Sequence, residues 1–334
     1  MKLNRRSLIA GGAAVVAGSL AGVPLRAQSP VSLKMASFNV GGSWYIYATA
    51  IAELAQENLP EGSRVEVLPY QGGVGNPILV NRGEADMGLS FSALSNWAYN
   101  GKVVFNEKAE NIRSLFGGLN RPHRLGIVVR KDAGIETLAD LGEKGGRLVT
   151  VQRGGAGEAL ARMALETYGL DYEAVQKAGG RVSNVDLPVA VQQMRDGQAD
   201  VFIHNIGYKQ PDVMELALGG KVKFIALGDE QMQALADQYG LQPGLAVEAG
   251  EFEGVTEDVP SVGYPTGVIA NANMSDDVAY AIVKGVCENP DRIREAHASL
   301  AAFDPAKAGE ALRNGNVPLH PGAKRYFDEA GTGN

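Results

Sequence analysis

The sequence predicts an α/β fold with two domains that face each other across a hinged cleft. Apolar runs of strand length alternate with helix-like segments, which is the pattern of sheets covered by helices. A proline-started helix, a glycine stop, an Ala-Asp pair and a buried strand with a polar end occur twice, at 76–90 and at 186–205. Chance similarity of two helix–strand units is the alternative explanation. With 334 residues, 45% of them hydrophobic, the chain is long enough for two cores.

The N-terminal segment is typical of an export signal. Arg5 and Arg6 precede an apolar run over 8–23, and a small-residue cleavage pattern ends at Ala27. The arginine pair resembles a twin-arginine signal, although general secretion signals also carry paired basic residues. We therefore expect 1–27 to be a signal peptide and the mature protein to be periplasmic. A permanent membrane anchor is the alternative, but the run is short and rich in glycine and alanine.

Composition excludes several classes of function. The signal segment holds four basic and no acidic residues, so its removal changes the formal net charge from −7 to −11. An acidic chain without a basic cluster argues against nucleic acid and anionic membranes as partners. The four histidines are scattered and Cys287 is the only cysteine, so neither a metal site nor an internal disulfide is expected. No serine stands in a nucleophile elbow, and carboxylates such as Glu84 and Asp86 are more often solvated than catalytic. We expect no enzyme activity and no cofactor.

The first predicted unit runs strand, helix, strand, helix, strand. A glycine loop at 72–75 opens the second helix, with Asn76 as its predicted N-cap and Gly83 as its stop. Loops that follow parallel strands lie at one edge of a sheet, where ligands bind. Helix N–H groups and the hydroxyls of Ser90 and Ser92 could therefore meet an anion there. The alternative is that these glycines only make turns. The predicted strands are 31–37, 65–68 and 87–89, and the predicted helices are 44–59 and 76–83.

The rest of the chain predicts a second domain and a return to the first. A strand is predicted over 112–119, and an apolar run at 125–130 could cross between domains. Another run at 262–270 could bring the chain back, so the hinge is expected near 120–125 and 266–270. This predicts domain I as 31–124 plus 269–330 and domain II as 125–268. Further strands are predicted at 147–151, 201–205 and 224–227, and helices at 158–168, 186–197, 231–239, 276–287 and 291–301.

Three stretches, at 41–45, 83–89 and 317–327, resemble the solute-binding subunits of TRAP transporters of the TAXI type. The similarity extends over about 33–331, and the tail stretch is its most specific part. The resemblance implies a periplasmic two-domain clamshell of the type II-like class. Such a protein captures an organic solute, commonly glutamate or a dicarboxylate, and delivers it to the membrane subunits of a sodium-driven TRAP permease. It is expected to act as a monomer.

The resemblance also implies a set of binding residues. Departures from the family at 90–93 and at 155–158 remove polar side chains from the expected cleft, so the ligand stays open. Trp44 and Phe91 suggest a ligand with an apolar or aromatic portion. Arg153 could pair with a carboxylate, or it could be a solvated loop cation. The candidate ligand contacts are Gly42, Ser43, Trp44, Tyr45, Gly73, Val74, Gly75, Asn76, Ser90, Phe91, Ser92, Arg153, Gly155, Ala156, Gly157, Asn205 and Tyr208.

Two other functions fit the same pattern. A binding protein of an ABC transporter would have the same domains but a gene for an ATPase beside its own. A periplasmic ligand-sensing domain would present its ligand to a signalling partner in place of a permease.

Overall fold

The computed structural model describes residues 29–332 except Asn39, Gly41, Gly42 and Gln71. The predicted signal peptide and Gly42 of the predicted site lie outside the described residues. The strands are β1 Ser32–Ala36, β2 Arg64–Leu68, β3 Met87–Phe91, β4 Ile112–Phe116, β5 His123–Arg130, β6 Arg147–Val151, β7 Arg181–Val185, β8 Val201–Ile206, β9 Val222–Phe224, β10 Gln242–Val247, β11 Val259–Tyr264 and β12 Thr266–Asn271. The helices are α1 Ser43–Asn58, α2 Gly75–Arg82, α3 Ser92–Asn100, α4 Asp140–Glu143, α5 Ala156–Glu166, α6 Tyr172–Lys177, α7 Leu187–Arg195, α8 Pro211–Ala217, α9 Asp229–Tyr239, α10 Asp276–Cys287, α11 Pro290–Ala296 and α12 Pro321–Ala330.

The strands form two mixed sheets, each covered by helices. The first sheet has the order β2-β1-β3-β12-β4, and the second has the order β10-β11-β5-β8-β6-β7 with β9 beside β5. In the first sheet β1, β2 and β3 are parallel, while β12 is antiparallel to β3 and β4. In the second sheet β6 is parallel to β7 and β8, and β5 is antiparallel to β8. We call the first sheet with α1–α3 and α10–α12 lobe 1, and the second sheet with α4–α9 lobe 2. The predicted two-domain α/β architecture is confirmed.

The chain passes between the lobes twice, at points that lie side by side. The first crossing is 117–122, and the second is the single residue Pro265 between β11 and β12. Thr266 is hydrogen-bonded to the first crossing on both sides: its N–H donates to Asn120 Oδ1 at 2.9 Å, and its carbonyl accepts from Leu119 N at 2.9 Å. The apolar run at 262–270, which the sequence predicts to bring the chain back to the first domain, contains this second crossing. Proline has no N–H for a ladder, so the run divides into two strands that belong to different sheets.

The predicted role of Asn76 as a helix cap is wrong, whereas the stop at Gly83 is confirmed. Helix α2 begins one residue earlier, at Gly75, and Gly83 ends it in the left-handed conformation with φ 72°. Asn76 is fully buried, and its Nδ2 donates to the carbonyls of Ser37 at 3.1 Å and Leu89 at 2.9 Å. Its side chain therefore ties α2 to the carboxyl ends of β1 and β3.

Other predicted elements are shorter or displaced. The strand predicted over 112–119 ends at Phe116, because a Cβ on Gly117 would lie 2.2 Å from the carbonyl oxygen of Arg313, so the backbone approaches closely there. The helix predicted over 291–301 ends at Ala296, and the strand predicted at 224–227 is displaced to β9. The periodic face of α1 is confirmed, since Tyr47, Ile51, Leu54 and Ala55 are all buried. Within the described ranges, no helix is long and apolar enough to cross a membrane.

Candidate ligand-binding cleft between the lobes

The carboxyl ends of the parallel strands in both sheets lie at the edge where the lobes meet. Phe91, the last residue of β3, has its ring centroid 4.9 Å from that of His123 and 4.8 Å from that of Tyr264, both in lobe 2. The end of β8 in the second sheet lies at the same edge, because Ile206 at the end of β8 pairs with Arg124 at the start of β5. Ligands of open α/β sheets bind beyond such strand ends. The cleft between the lobes is therefore the candidate site.

Four rings form the bottom of this cleft, and we call Trp44, Phe91, His123 and Tyr264 the aromatic floor. The Trp44 and Phe91 centroids are 4.6 Å apart, and Trp44 Nε1 donates to Thr266 Oγ1 at 3.2 Å. The Tyr264 hydroxyl is buried without a hydrogen-bond partner in the part of the chain that the structure describes, and burial raises its pKa. Desolvation, with the positive charge of Arg124 as a smaller cause, lowers the pKa of His123 to about 3. The floor is thus aromatic and uncharged at neutral pH, with the polar atoms of Trp44, His123 and Tyr264 at its edges.

The lobe 1 wall consists of the starts of α1, α2 and α3. No acidic residue stands in the first turn of any of them. The surrounding segments 37–52, 67–81 and 87–101 contain no Asp, Glu, Lys or Arg. The positive end of a helix attracts anions. In this wall the first N–H of α2 already donates to the Gly72 carbonyl at 2.9 Å, and that of α3 donates to the Pro265 carbonyl at 3.0 Å.

The predicted contacts of lobe 1 differ in their accessibility. Ser43 is exposed, while Tyr45 is half-buried. Ser90 and Ser92 are 1% and 6% exposed, and the Ser90 hydroxyl accepts from Ser95 Oγ at 2.8 Å. These two serines therefore lie below the wall surface. The α2 start is more open: Gly73, Val74 and Gly75 are half-buried, and a Cβ on either glycine would meet nothing within 4 Å.

The lobe 2 wall is formed by the start of α5 and the end of β8. A Cβ on Gly157 would lie 2.1 Å from His204 Nδ1 and 3.1 Å from Asn205 Oδ1, so both side chains are directed at this glycine. Gly155 and Ala156 precede it at the helix start. His204 is 9% exposed, and its Nδ1 is buried with no hydrogen-bond partner among the described residues. Burial lowers the pKa of His204 to about 4, so the imidazole is neutral at neutral pH.

Glu158 adds a fixed negative charge behind the same wall. It lies in the first turn of α5 and is 3% exposed. Its carboxylate accepts hydrogen bonds from Arg162 Nε at 2.9 Å, the Tyr172 hydroxyl at 3.1 Å and Gly154 N at 3.3 Å. An acid in the first turn compensates the positive end of the helix. The α5 start is therefore electrostatically unlike the helix starts of lobe 1.

Arg153 and Tyr208 lie at the rim of the cleft on lobe 2. Arg153 is exposed, and its Nε donates to Asn184 Oδ1 at 3.3 Å. The Tyr208 ring has the guanidinium of Arg121 4.2 Å from its centroid, and Arg121 pairs with Glu248 at 3.0 Å. Both interpretations of Arg153, as a partner of a carboxylate and as a solvated loop cation, stay predictions.

Sequence reasoning missed three residues of the cleft. The scattered histidine pattern does not single out His123 or His204, and Glu158 stands out in the sequence only as part of the departure from the family at 155–158. Their positions in the sequence are the signals that could have found them. His123 comes directly after a crossing, His204 lies at the polar end of a buried strand, and Glu158 lies in the first turn of a helix. Within the described ranges no cluster of three or more His, Cys, Asp or Glu could hold a metal.

Replacing Gly157 with alanine is expected to lower the free energy of unfolding by about 1–3 kcal/mol, the usual cost of overpacking. The new Cβ would lie 2.1 Å from His204 Nδ1, so the imidazole must move. Urea unfolding of both proteins measures the change. Gly75→Ala is the matched control: its Cβ meets nothing within 4 Å, and no loss is expected. Equal midpoints for the two variants would contradict this packing.

The comparisons with known proteins agree with a two-lobed α/β fold. A family model described as the NMT1-like family matches residues 35–331. The structure of XAC2383 from Xanthomonas citri bound to ATP matches with a TM-score of 0.56 and 12% identity, covering 89% of this chain and 98% of that chain. The same protein bound to chloride ion matches at 0.55 and 12%, covering 89% and 99%. MatC (Rpa3494) from Rhodopseudomonas palustris with bound malate matches at 0.53 and 15%, covering 91% and 98%.

Proposed function

Because the chain belongs to the NMT1-like family, we propose that it is a periplasmic solute-binding receptor that captures a small organic carboxylate between its two lobes. One observation carries this proposal. The strand ends of both lobes face each other across an aromatic floor, and beside them three helices of lobe 1 begin without a compensating acid. A concave, largely apolar site with a few convergent polar groups is the usual form of a small-molecule site.

The ligands of the structural neighbours support an anionic solute. XAC2383 has been solved with bound ATP and with bound chloride, and MatC with bound malate, and each of these is an anion. The same fold thus holds anions of very different size, so the fold alone does not select among them. The choice of an organic carboxylate rests on the malate complex, on the resemblance described above, and on the aromatic floor, which suits an acid with an apolar or aromatic portion.

We assign the receptor to a sodium-driven TRAP permease, on the resemblance of the stretches at 41–45, 83–89 and 317–327. Delivery to an ABC transporter and presentation to a signalling partner are the alternatives. A neighbouring gene for a two-part permease supports the first, a gene for an ATPase supports the second, and capture of a kinase ectodomain supports the third. The binding chemistry of the cleft is the same in all three cases.

A thermal-shift screen tests the binding function. The mature protein is unfolded and refolded to remove carried-over ligand, and then mixed with amino acids, dicarboxylates, aromatic acids and sugars. A ligand at one hundred times its dissociation constant is expected to add about 2.7 kcal/mol to the free energy of unfolding. Stabilisation by an acid supports the proposal. Stabilisation by sugars alone, or by none of the panel, contradicts it.

A further inference from the structure

A tryptophan of lobe 1 is hydrogen-bonded directly to lobe 2, away from the two crossings. The indole Nε1 of Trp97 in α3 donates to the carbonyl of Tyr239, the last residue of α9, at 2.7 Å. Among the described residues it is the one side-chain hydrogen bond between the lobes in which neither partner belongs to a crossing. We infer that this contact, which we call the interlobe clasp, holds the lobes at the angle seen and has to break before they turn about the crossings.

Burial gives the clasp its strength. Trp97 is fully buried, and a buried indole N–H needs an acceptor. The last carbonyls of a helix have no partner within it, so the carbonyl of Tyr239 can accept from another element. Leu235 and Leu241 are buried in the same apolar cluster as Trp97. Breaking the clasp therefore separates a buried polar pair and exposes apolar surface, and both changes cost free energy.

The position of the clasp explains why it restrains the lobes. Ser92, the first residue of α3, donates from its N–H to the Pro265 carbonyl at 3.0 Å. Trp97 lies further along the same helix, by about 8 Å at the usual rise per residue. In lobe 2 the Tyr239 hydroxyl donates at 2.6 Å to Glu166, the last residue of α5, whose first residues face the cleft. A bond to one side of a bending axis changes length when the lobes turn, whereas the bonds between the two crossings can persist.

The clasp acts on the cleft without touching a solute. A contact that holds one arrangement of two lobes sets the fraction of molecules in every other arrangement. Trp97 therefore controls how readily the cleft changes its width, although it lies outside the aromatic floor. The inference concerns the motion of the lobes and not the solute, so it goes beyond the proposed function and its test needs no ligand.

Distances between spin labels test the clasp in the mature protein. Cys287→Ala removes the buried native thiol, and Glu61→Cys in lobe 1 and Lys221→Cys in lobe 2 supply exposed sites for the labels. Lys221 is far from the crossings, because the next residue pairs with Arg130 at the end of β5. Double electron–electron resonance gives the distribution of interlobe distances. Trp97→Phe keeps a ring but removes the N–H, and we expect it to broaden this distribution at least about twofold.

The neighbouring residue on α3 provides the matched control. Asn96 Nδ2 donates to the Gly315 carbonyl at 2.8 Å, and both residues belong to lobe 1. Asn96→Ala therefore removes a similar bond that does not join the lobes, and the distribution is expected to stay as it is in the wild type. A second pair of labels, at Glu61 and Glu107 of lobe 1, is expected to keep its width in Trp97→Phe.

Hydrogen exchange of the Trp97 indole gives a measurement without a change at that residue. Trp44 and Trp97 are the only tryptophans of the chain, so Trp44→Phe assigns both indole signals. Groups that open locally exchange at rates that hardly depend on low concentrations of denaturant, unlike groups released only by global unfolding. We expect the Trp97 N–H of the wild type to exchange in the first way, because the clasp opens with the lobes.

Each result supports or overturns the clasp. Equal interlobe widths in Trp97→Phe and the wild type overturn it, as does equal broadening in Asn96→Ala or broadening within lobe 1. If Trp97→Phe does not fold, the indole exchange of the wild type decides. Exchange through local opening then supports the clasp, and exchange through global unfolding alone overturns it.

Discussion

Replacing Arg124 with alanine is expected to cost about 3–5 kcal/mol of the free energy of unfolding, the range for breaking a buried ion pair from one side. The side chains of Arg124 and Glu251 are only 5% and 0% exposed. Their two hydrogen bonds measure 2.8 and 2.5 Å, and Arg124 also donates to the Ala246 carbonyl at 3.2 Å. The backbone N–H groups of Lys209 and Glu248 donate to the same carboxylate. Removing the guanidinium would leave a buried negative charge with only these two backbone donors.

Chemical denaturation measures this loss, and the chain offers a matched control. Arg292 and Glu57 form a similar two-bond pair on the surface, with bonds of 2.6 and 2.9 Å and side chains 45% and 55% exposed. Arg292→Ala is expected to leave the unfolding midpoint nearly unchanged, because water replaces the lost contacts. The double replacement of Arg124 by Met and Glu251 by Leu is expected to recover only part of the loss, because it removes the buried charge but leaves the backbone N–H groups of Lys209 and Glu248 without their acceptor. A midpoint for Arg124→Ala equal to that of Arg292→Ala would contradict the assignment.

Acidification from pH 8 to pH 5 is expected to lower the free energy of unfolding by about 2 kcal/mol through His204 alone. Burial lowers the pKa of His204 from 6.5 to about 4 in the folded protein. Between these values the unfolded chain binds a proton that the folded chain does not. The stability contributed by His204 is therefore complete above pH 6.5, falls as the pH is lowered, and is lost once the pH has passed below 4.

The measurement is the difference between two pH profiles of unfolding. Desolvation also lowers the pKa of His123, so the wild-type profile contains more than one histidine. Subtracting the profile of His204→Phe isolates the contribution of His204. His297→Phe is the control, because that imidazole is only partly buried and is expected to change the slope less. Parallel profiles for wild type and His204→Phe would show that His204 is protonated equally in both states.

The fold was predictable because its signals are local. Helix α1 places Tyr47, Ile51 and Leu54 on one buried face, and that spacing is visible in the sequence. The predictions were wrong where the local structure depends on a contact between residues that are distant in the chain. Asn76 resembles a helix cap, but the carbonyls of two strand ends engage its amide. The apolar run at 262–270 was predicted to return the chain to the first domain, but its local pattern did not show that Pro265 alone forms the crossing.

The location of the candidate cleft was predictable from the sequence, whereas the charge and burial of its side chains were predictable only in part. Loops after parallel strands meet at one edge, so the edge follows from the alternation of strands and helices. The properties of His204 and Glu158 depend on burial, which no local pattern encodes. The imidazole of His204 is held neutral by the burial that the fold imposes on it.

The single-residue crossing at Pro265 determines how the two lobes can move. The proline ring fixes φ, so the crossing at Pro265 is stiff, whereas the crossing at 117–122 is a loop of six residues. The hydrogen bonds of Thr266 to Leu119 and Asn120 hold the two crossings side by side. We expect two crossings joined in this way to resist sliding and to permit bending, so that the lobes turn about one axis. Under the proposed receptor function, every solute would meet the same closing motion, and selection among solutes would depend on the residues that line the walls.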